Sequence, residues 1–330
     1  MKPSFITPLL AELAQEMGVD LHIEERYGYV GQVNLPNGER RYLRNTVFDL
    51  NGSGATEIAV DKDYAAYFLA RLGYPVPIGD SFHTRRWAKA IGSDRTPERA
   101  WEYAQQLGLP LIIKPNSKSQ GRGVALVHTK REFLRAVSEA SQHERVFLVQ
   151  KPAQGRDYRI VVLDGETISA YERRPLTVIG DGISTIRELL EAKQRYFIEV
   201  GRDTILQYDD PRLLSTLQRA HLSFESVLEA NKSLKLLPNA NLSTGGDAVD
   251  LTPTLHPDWK TLAARIARDM NLRYIGIDVM TEVPLDQPPG DYTLIEINAA
   301  PGLDNYASIG EEQMRIVKEL YRKVLLALLV

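Results

Sequence analysis

One carboxylate inside an apolar strand constrains this chain more than any other feature. The run Ile275-Gly276-Ile277-Asp278-Val279 reads as a buried strand, and Asp278 interrupts it. An ionised carboxylate in such surroundings is costly unless something positive meets it. A second apolar strand is expected over Tyr292–Asn298, with Leu294, Glu296 and Asn298 on one face and Ile295 and Ile297 on the other, because side chains alternate along a strand. Carboxylate and amide oxygens with no His or Cys nearby suit Mg²⁺ or Mn²⁺ shared with phosphate oxygens, rather than zinc. Pairing of Asp278 and Glu296 with structural arginines accounts for them equally well, and spacing alone does not choose.

Composition narrows the chemistry. The chain has 330 residues and no cysteine, which excludes disulfides, thiolate zinc sites, iron–sulfur clusters and a cysteine nucleophile. Forty basic against 43 acidic residues give a net charge of -3, so there is no bulk positive field for a nucleic acid. No run approaches the roughly 18 to 20 apolar residues of a membrane span. Glu12 and Glu16 break up the first segment into an amphipathic helix rather than a leader. The expectation is a cytoplasmic enzyme working on small molecules, with neither nucleic acid nor membrane as partner.

Turn signals and changes of hydrophobic period divide the chain. A helix near residues 6–17 precedes alternating stretches at 21–25, 29–35 and 41–48, with a hairpin signal at Pro36-Asn37-Gly38. A helix over 61–72 ends at Gly73, and another follows Pro97. From Leu111 the pattern is strand (111–114), polar loop (115–123), strand (124–127), helix (131–140) and strand (146–150). Strands at 158–163 and 167–172 flank Asp164-Gly165, and a helix starts at Thr185. Residues 199–250 are given no assignment. A helix after Pro257, the two strands already described and a last helix carrying Met314, Val317, Leu320, Tyr321, Val324 and Leu328 complete the reading. These elements predict an α+β fold divided at 1–57, 58–110, 111–152 and 153–330.

Candidate chemistry gathers at a few places. Lys114 ends an apolar strand and precedes a loop whose Gly121 and Gly123 allow backbone N–H groups to approach phosphate oxygens. The loop is not a P-loop, since it leads into a strand and lacks the G-x-x-x-x-G-K-[ST] spacing. Arg156-Asp157-Tyr158-Arg159 and Glu172-Arg173-Arg174 can set guanidinium groups beside a transferring phosphoryl group, or be exposed strand-end charges. Asn241-Leu242-Ser243-Thr244-Gly245-Gly246 is either an anion-wrapping turn or a plain one. His221 and His256 have no acid or serine at a recognisable spacing, so a hydrolase triad is not supported.

Taken in order, Ile112-Ile113-Lys114-Pro115, Gly121-Arg122-Gly123, Val149-Gln150-Lys151-Pro152 and Ile295-Glu296-Ile297-Asn298 resemble an ATP-grasp carboxylate–amine ligase. Gly155-Arg156-Asp157-Tyr158-Arg159, Val178-Ile179-Gly180-Asp181-Gly182, the 241–246 turn, Gly276-Ile277-Asp278 and Asn298-Ala299-Ala300-Pro301-Gly302 resemble more narrowly the ATP-grasp module of cyanophycin synthetases. The ATP-grasp part of bifunctional glutathione synthetases is similar. The resemblance covers about residues 58–310 and implies two α+β lobes gripping ATP, with a short N-terminal lobe.

Carried over by position, it implies that Lys62 and Lys114 contact nucleotide phosphates and that the loop with Ser119, Gly121, Arg122 and Gly123 closes over them. Gln150, Lys151 and Ala153 would hold adenine, and Asp157 ribose. Asp278, Glu296 and Asn298 match metal ligands, and Arg159 and Arg173 would act on the γ-phosphate. Asn241, Ser243, Thr244, Gly245, Gly246 and Gly302 would face the acid substrate. The implied reaction joins a carboxylate, of an amino acid or peptide, to an amine through an acyl phosphate, with ATP and Mg²⁺ or Mn²⁺. Alternatives are a phosphotransferase that stops at phosphorylation and a non-catalytic ATP-binding regulatory module. Cyanophycin synthetases carry a further arginine-adding domain; this chain ends after the ATP-grasp part, so a ligase with a different substrate is expected. Leu237 stands where the relatives are expected to have arginine, and residues 199–237 match poorly. Oligomeric state is left open.

Overall fold

The computed structural model describes residues 5–330 except Ser119, Gln120, Arg122 and Asp203. The chain opens with helix α1 (Ile6–Met17), which buries Ile6, Leu9, Leu10 and Leu13 along one stripe and stops at Gly18, in the left-handed conformation at φ 66°. Strands β1 (Asp20–Ile23), β2 (Val30–Asn34), β3 (Arg40–Arg44) and β4 (Val47–Phe48) form an antiparallel sheet in that order. The Pro36-Asn37-Gly38 turn joins β2 to β3, as its composition predicts. This opening part has no separate core: Leu10, Leu13 and Phe48 pack with Val317, Tyr321 and Val324 from the far end of the chain.

Helices α2 (Ser53–Val60) and α3 (Lys62–Arg71) lead to β5 (Gly79–His83), α4 (Arg85–Ile91) and α5 (Pro97–Leu107). Then come β6 (Leu111–Pro115), β7 (Ala125–Val127), α6 (Lys130–His143) and β8 (Val146–Gln150). Side chains of Thr84, Thr96 and Thr129 cap α4, α5 and α6. The resulting sheet has the order β5-β8-β6-β7, so it draws a strand from upstream of residue 111. Its core holds Leu111, Ile113, Phe133, Phe147 and Val149.

The larger sheet is assembled from β9 (Arg156–Leu163), β10 (Glu166–Arg174), β13 (Asp247–Asp250), β14 (Tyr274–Thr281) and β15 (Tyr292–Asn298), in the antiparallel order β13-β10-β9-β14-β15. Between β10 and β13 the chain forms β11 (Thr177–Ile179), α7 (Ile186–Glu199), α8 (Pro211–Arg219) and β12 (Ser233–Lys235), with Leu190, Phe197, Leu213 and Leu217 in a satellite core. Helix α7 is the one expected from Thr185, and the part that follows it is the stretch for which periodicity gives no assignment. Helix α9 (Pro257–Asp269) covers one face of the large sheet, against Tyr158, Ile160, Val162, Ile275 and Ile277. Helix α10 (Asp304–Ala307) and helix α11 (Glu311–Leu328) cover part of the other, against Val161, Leu163 and Tyr274. Continuing along that second face, the same alternation presents Arg159 and Asp157 on β9 and Asp278 on β14 beyond the cover.

One expected pattern fails. On β15, Glu296 pairs with Asp278 but Leu294 pairs with Val279, an irregularity that adds one residue at Ile295. Such a bulge breaks the alternation locally. Leu294 therefore joins Ile297 in the core, while Ile295 lies with Glu296 and Asn298 on the open face.

Candidate active site

The small and large sheets enclose a cleft of about 880 Å³. On the small-sheet side, β6 sends Leu111 and Ile113 into the core and Ile112 and Lys114 into the cleft. Lys114 is only 6% exposed. Burial lowers its pKa to about 8, Lys62 pushes in the same direction, and the negative charges of Glu296 and Asp278 oppose them. Ile112 and Leu126 from one sheet and Met280 and Ile295 from the other contribute apolar side chains to the cleft wall, and Gln150 stands opposite Ile112 in the strand register. Lys151 turns back to donate to the Gly108 carbonyl at 2.8 Å.

The large-sheet side carries a row of charged side chains. Strand register sets Arg173 across from Asp157, Arg159 across from Asp278, and Asp278 across from Glu296. Arg159 grips both oxygens of Asp278, its Nη2 at 2.8 Å from Oδ2, and Arg173 Nη2 approaches the same Oδ2 at 2.9 Å. Arg173 also donates to Asp157 Oδ1, from Nε at 3.1 Å and Nη2 at 2.6 Å. Desolvation would raise the Asp278 carboxyl, but Arg159 and Arg173 outweigh it and hold it below the usual range. At Asp157 desolvation prevails over Arg173, and the shift is upward. The positive partner demanded by a carboxylate on an apolar strand is thus a pair of guanidiniums, supplied by β9 and β10.

Lys62 joins the two sides. It stands at the start of α3, capped by Asp61, with Nζ 3.3 Å from Glu296 Oε2 and a 2.8 Å bond to the Lys118 carbonyl. Asn298 Oδ1 accepts from the Ala300 N–H at 2.9 Å, which turns the chain after β15.

All of the residues singled out above line this cleft except six. Ser119 and Arg122 lie outside the described residues. Gly123 packs against Pro115, where a Cβ would come within 2.8 Å of Cγ. Thr244, Gly245 and Gly246 are also off the cleft wall, in contrast to the expectation of a substrate-facing turn. The turn closes on itself instead: Thr244 Oγ1 donates to the Asn241 carbonyl at 3.0 Å, and Gly245, at φ 98°, abuts Leu206. From behind, Arg202 donates to the carbonyls of Leu242 and, at 2.7 Å, Gly246. Only Asn241, Leu242 and Ser243 of the turn reach the cleft.

Sequence reading overlooked Thr46, Lys235 and Tyr306, which also line it. It overlooked Arg212 as well, whose Nη1 donates to the Gly121 carbonyl and to Asn239 Oδ1, both at 3.2 Å, while Asp210 holds Nη2 at 2.6 Å. No local signal marks these residues, since each acquires its place through contacts remote in sequence.

Comparison with known proteins agrees with this architecture. Residues 69–198 match the family model described as the D-ala D-ala ligase C-terminus. Cyanophycin synthetase of Trichormus variabilis is 32% identical over 274 residues, 79% of this chain and 28% of that protein. The glutathione biosynthesis bifunctional protein of Streptococcus mutans is 31% identical over 279 residues, 81% of this chain and 35% of that protein. The chain thus spans about a third of the length of these curated relatives, or less. Among solved structures, a bifunctional glutathione synthetase from Pasteurella multocida superposes with a TM-score of 0.61 at 22% identity, over 98% of this chain and 44% of that one, which shows a shared fold. The two facing sheets and the cleft between them are an ATP-grasp fold, and the chain is homologous to the ATP-grasp modules of cyanophycin synthetases and bifunctional glutathione biosynthesis proteins.

Proposed function

We propose that this chain is an ADP-forming carboxylate–amine ligase that activates the carboxylate of an amino acid or peptide with ATP. The observation that carries the reading is the meeting of Lys62 and buried Lys114 with the Arg173-Asp157-Arg159-Asp278-Glu296 row across one cleft. Fixed cations facing a site of negative charge are what phosphoryl transfer requires. Homology to proteins named cyanophycin synthetase and glutathione biosynthesis bifunctional protein supports the substrate class.

In this reading the apolar lining of Ile112, Leu126, Met280 and Ile295 takes the flat base, with Gln150 supplying polar contacts. Lys114 and Lys62 attract the phosphates. Arg159 and Arg173 face the γ-phosphoryl group and stabilise charge as a carboxylate oxygen attacks phosphorus and the bond to ADP breaks. The amine then attacks the acyl carbon of the acyl phosphate, and phosphate leaves with the bonding electrons. Asn241, Ser243 and Gly302 line the part of the cleft left for the acid and the amine.

The donor chemistry fits a hard divalent cation. Glu296 and Asn298 lie on one open face beside Asp278, all oxygen donors; Asp278 Oδ2 is taken up by Arg159 and Arg173, while Oδ1 accepts, among the described residues, from Arg159 Nε alone and keeps a second lone pair. Bound there, Mg²⁺ or Mn²⁺ would neutralise charge on the phosphates.

The test is incubation with MgATP and pools of amino acids and short peptides, following ADP, phosphate and product mass. A product equal to the two substrates less water supports the ligase. A phosphorylated end product, or ATP binding without turnover across every pool, counts against it.

A further inference from the structure

We infer that Asp157 is a positioning residue for Arg173, acting on the reaction through that guanidinium whatever contact it makes with the nucleotide. The strand register of β9 and β10 sets the two residues directly opposite each other. Arg173 gives Asp157 Oδ1 two donors, Nε at 3.1 Å and Nη2 at 2.6 Å, and gives Asp278 only the Nη2 contact at 2.9 Å. Both Asp157 contacts are to side chains largely out of solvent, 12% exposed for Arg173 and 23% for Asp157.

A guanidinium is a rigid planar fork, so fixing Nε and Nη2 fixes the direction of Nη1 as well. Nη1 of Arg173 has no partner among the described residues, and Arg173 lines the cleft. Without Asp157, the anchor left among the described residues would be Asp278, which Arg159 already grips through two donors. Two guanidiniums would then depend on that one carboxylate, and the Arg173 fork would be free to rotate about its Nη2 contact. Asp157 Oδ2 has no side-chain partner among the described residues, so a ribose contact through Oδ2 and the orientation of Arg173 through Oδ1 are compatible on one side chain.

The kinetic part of this inference rests on the ligase reading; the orientation of the guanidinium does not. Turnover of wild type, Asp157→Asn, Asp157→Glu, Arg173→Lys and the double variant Asp157→Asn with Arg173→Lys is measured with ATP and with 2′,3′-dideoxy-ATP. In parallel, the Arg173 Nε–H resonance, assigned by its loss in Arg173→Lys, is followed for shift and exchange with water. Asp157→Asn is expected to lower kcat about tenfold with both nucleotides while KM for ATP stays within about twofold. Asp157→Glu should recover part of the loss, the double variant should be no slower than Arg173→Lys, and the Nε–H should exchange faster in Asp157→Asn. A loss confined to ATP and absent with the dideoxy nucleotide, a change in KM alone, or an unchanged Nε–H would overturn the assignment. If wild type turns over no substrate, the ligase reading fails on its own and the resonance still decides whether Asp157 orients Arg173.

Discussion

Asn51 and Tyr274 exchange two hydrogen bonds: Asn51 Nδ2 donates to the Tyr274 carbonyl at 2.7 Å, and Asn51 Oδ1 accepts from the Tyr274 N–H at 3.0 Å. The same Nδ2 reaches the Ala299 carbonyl at 2.9 Å. One side chain from the opening lobe therefore completes the start of β14 and holds the segment that follows Asn298. Thr46 adds a second tie, from Oγ1 to the Ala300 carbonyl at 3.1 Å.

Replacing Asn51 with Ala leaves a strand N–H and two carbonyls short of a partner. The expected cost is about 2 to 4 kcal/mol. Urea unfolding of the variant checks it, and a midpoint equal to wild type would show that water replaces these bonds at no cost.

Glu296→Gln keeps size and removes charge at the point where Lys62 and the open face of β15 meet. Turnover is expected to drop by about a hundredfold or more. Far-ultraviolet circular dichroism and the thermal midpoint should stay close to wild type. Wild-type ADP release from this variant would remove Glu296 from the chemistry.

Lys114 has a folded pKa of about 8 against its ordinary 10.5. Between those values the unfolded chain holds a proton that the folded chain has released, so this group makes stability rise with pH through that window. Below about 8 the whole cost of burying the ammonium is present, on the order of 3 kcal/mol. Lys114→Met should accordingly be more stable than wild type at pH 7, with the difference shrinking as pH approaches 10. Denaturant titrations at the two pH values measure it, and a difference independent of pH would contradict the assignment. The gain in stability should come with a loss of ATP turnover.

Gly155 sits at φ 100° just before β9, and a Cβ there would lie 2.3 Å from the Thr281 carbonyl carbon. Both the left-handed backbone and the close approach of another strand forbid a side chain. Gly155→Ala should destabilise the chain by at least about 3 kcal/mol, since the clash is with backbone that cannot move aside. Soluble yield and a denaturant midpoint near wild type would mean that the strands separate readily here.

Much of the fold could be read locally. The apolar runs Leu111–Ile113 and Tyr274–Met280 mark buried strands, and the helical spacing of Trp259, Leu262, Ala263 and Ile266 marks α9, because burial imposes these patterns directly on the residues. Residues 199–250 resisted, since α8 is nine residues long and its surroundings are short strands and turns held by Arg202 and Arg212 rather than by a long apolar stripe. The placement of Leu294 was also misread, because the added residue at Ile295 is a property of pairing with β14 and leaves no trace in composition.

The amino-acid order alone determined that Asp278 needs a positive partner, that Lys114 ends an apolar strand, and that thiol chemistry is excluded. It could not say which cations answer Asp278. Arg159 is 119 positions away, Arg173 belongs to a third strand, and Asp157 pairs with Arg173 as well. These partnerships follow from the lateral register of β10, β9 and β14, which is set by burial of the apolar faces on either side of the sheet. Charges so far apart in the chain become neighbours only when that burial has chosen one register among those the strands allow.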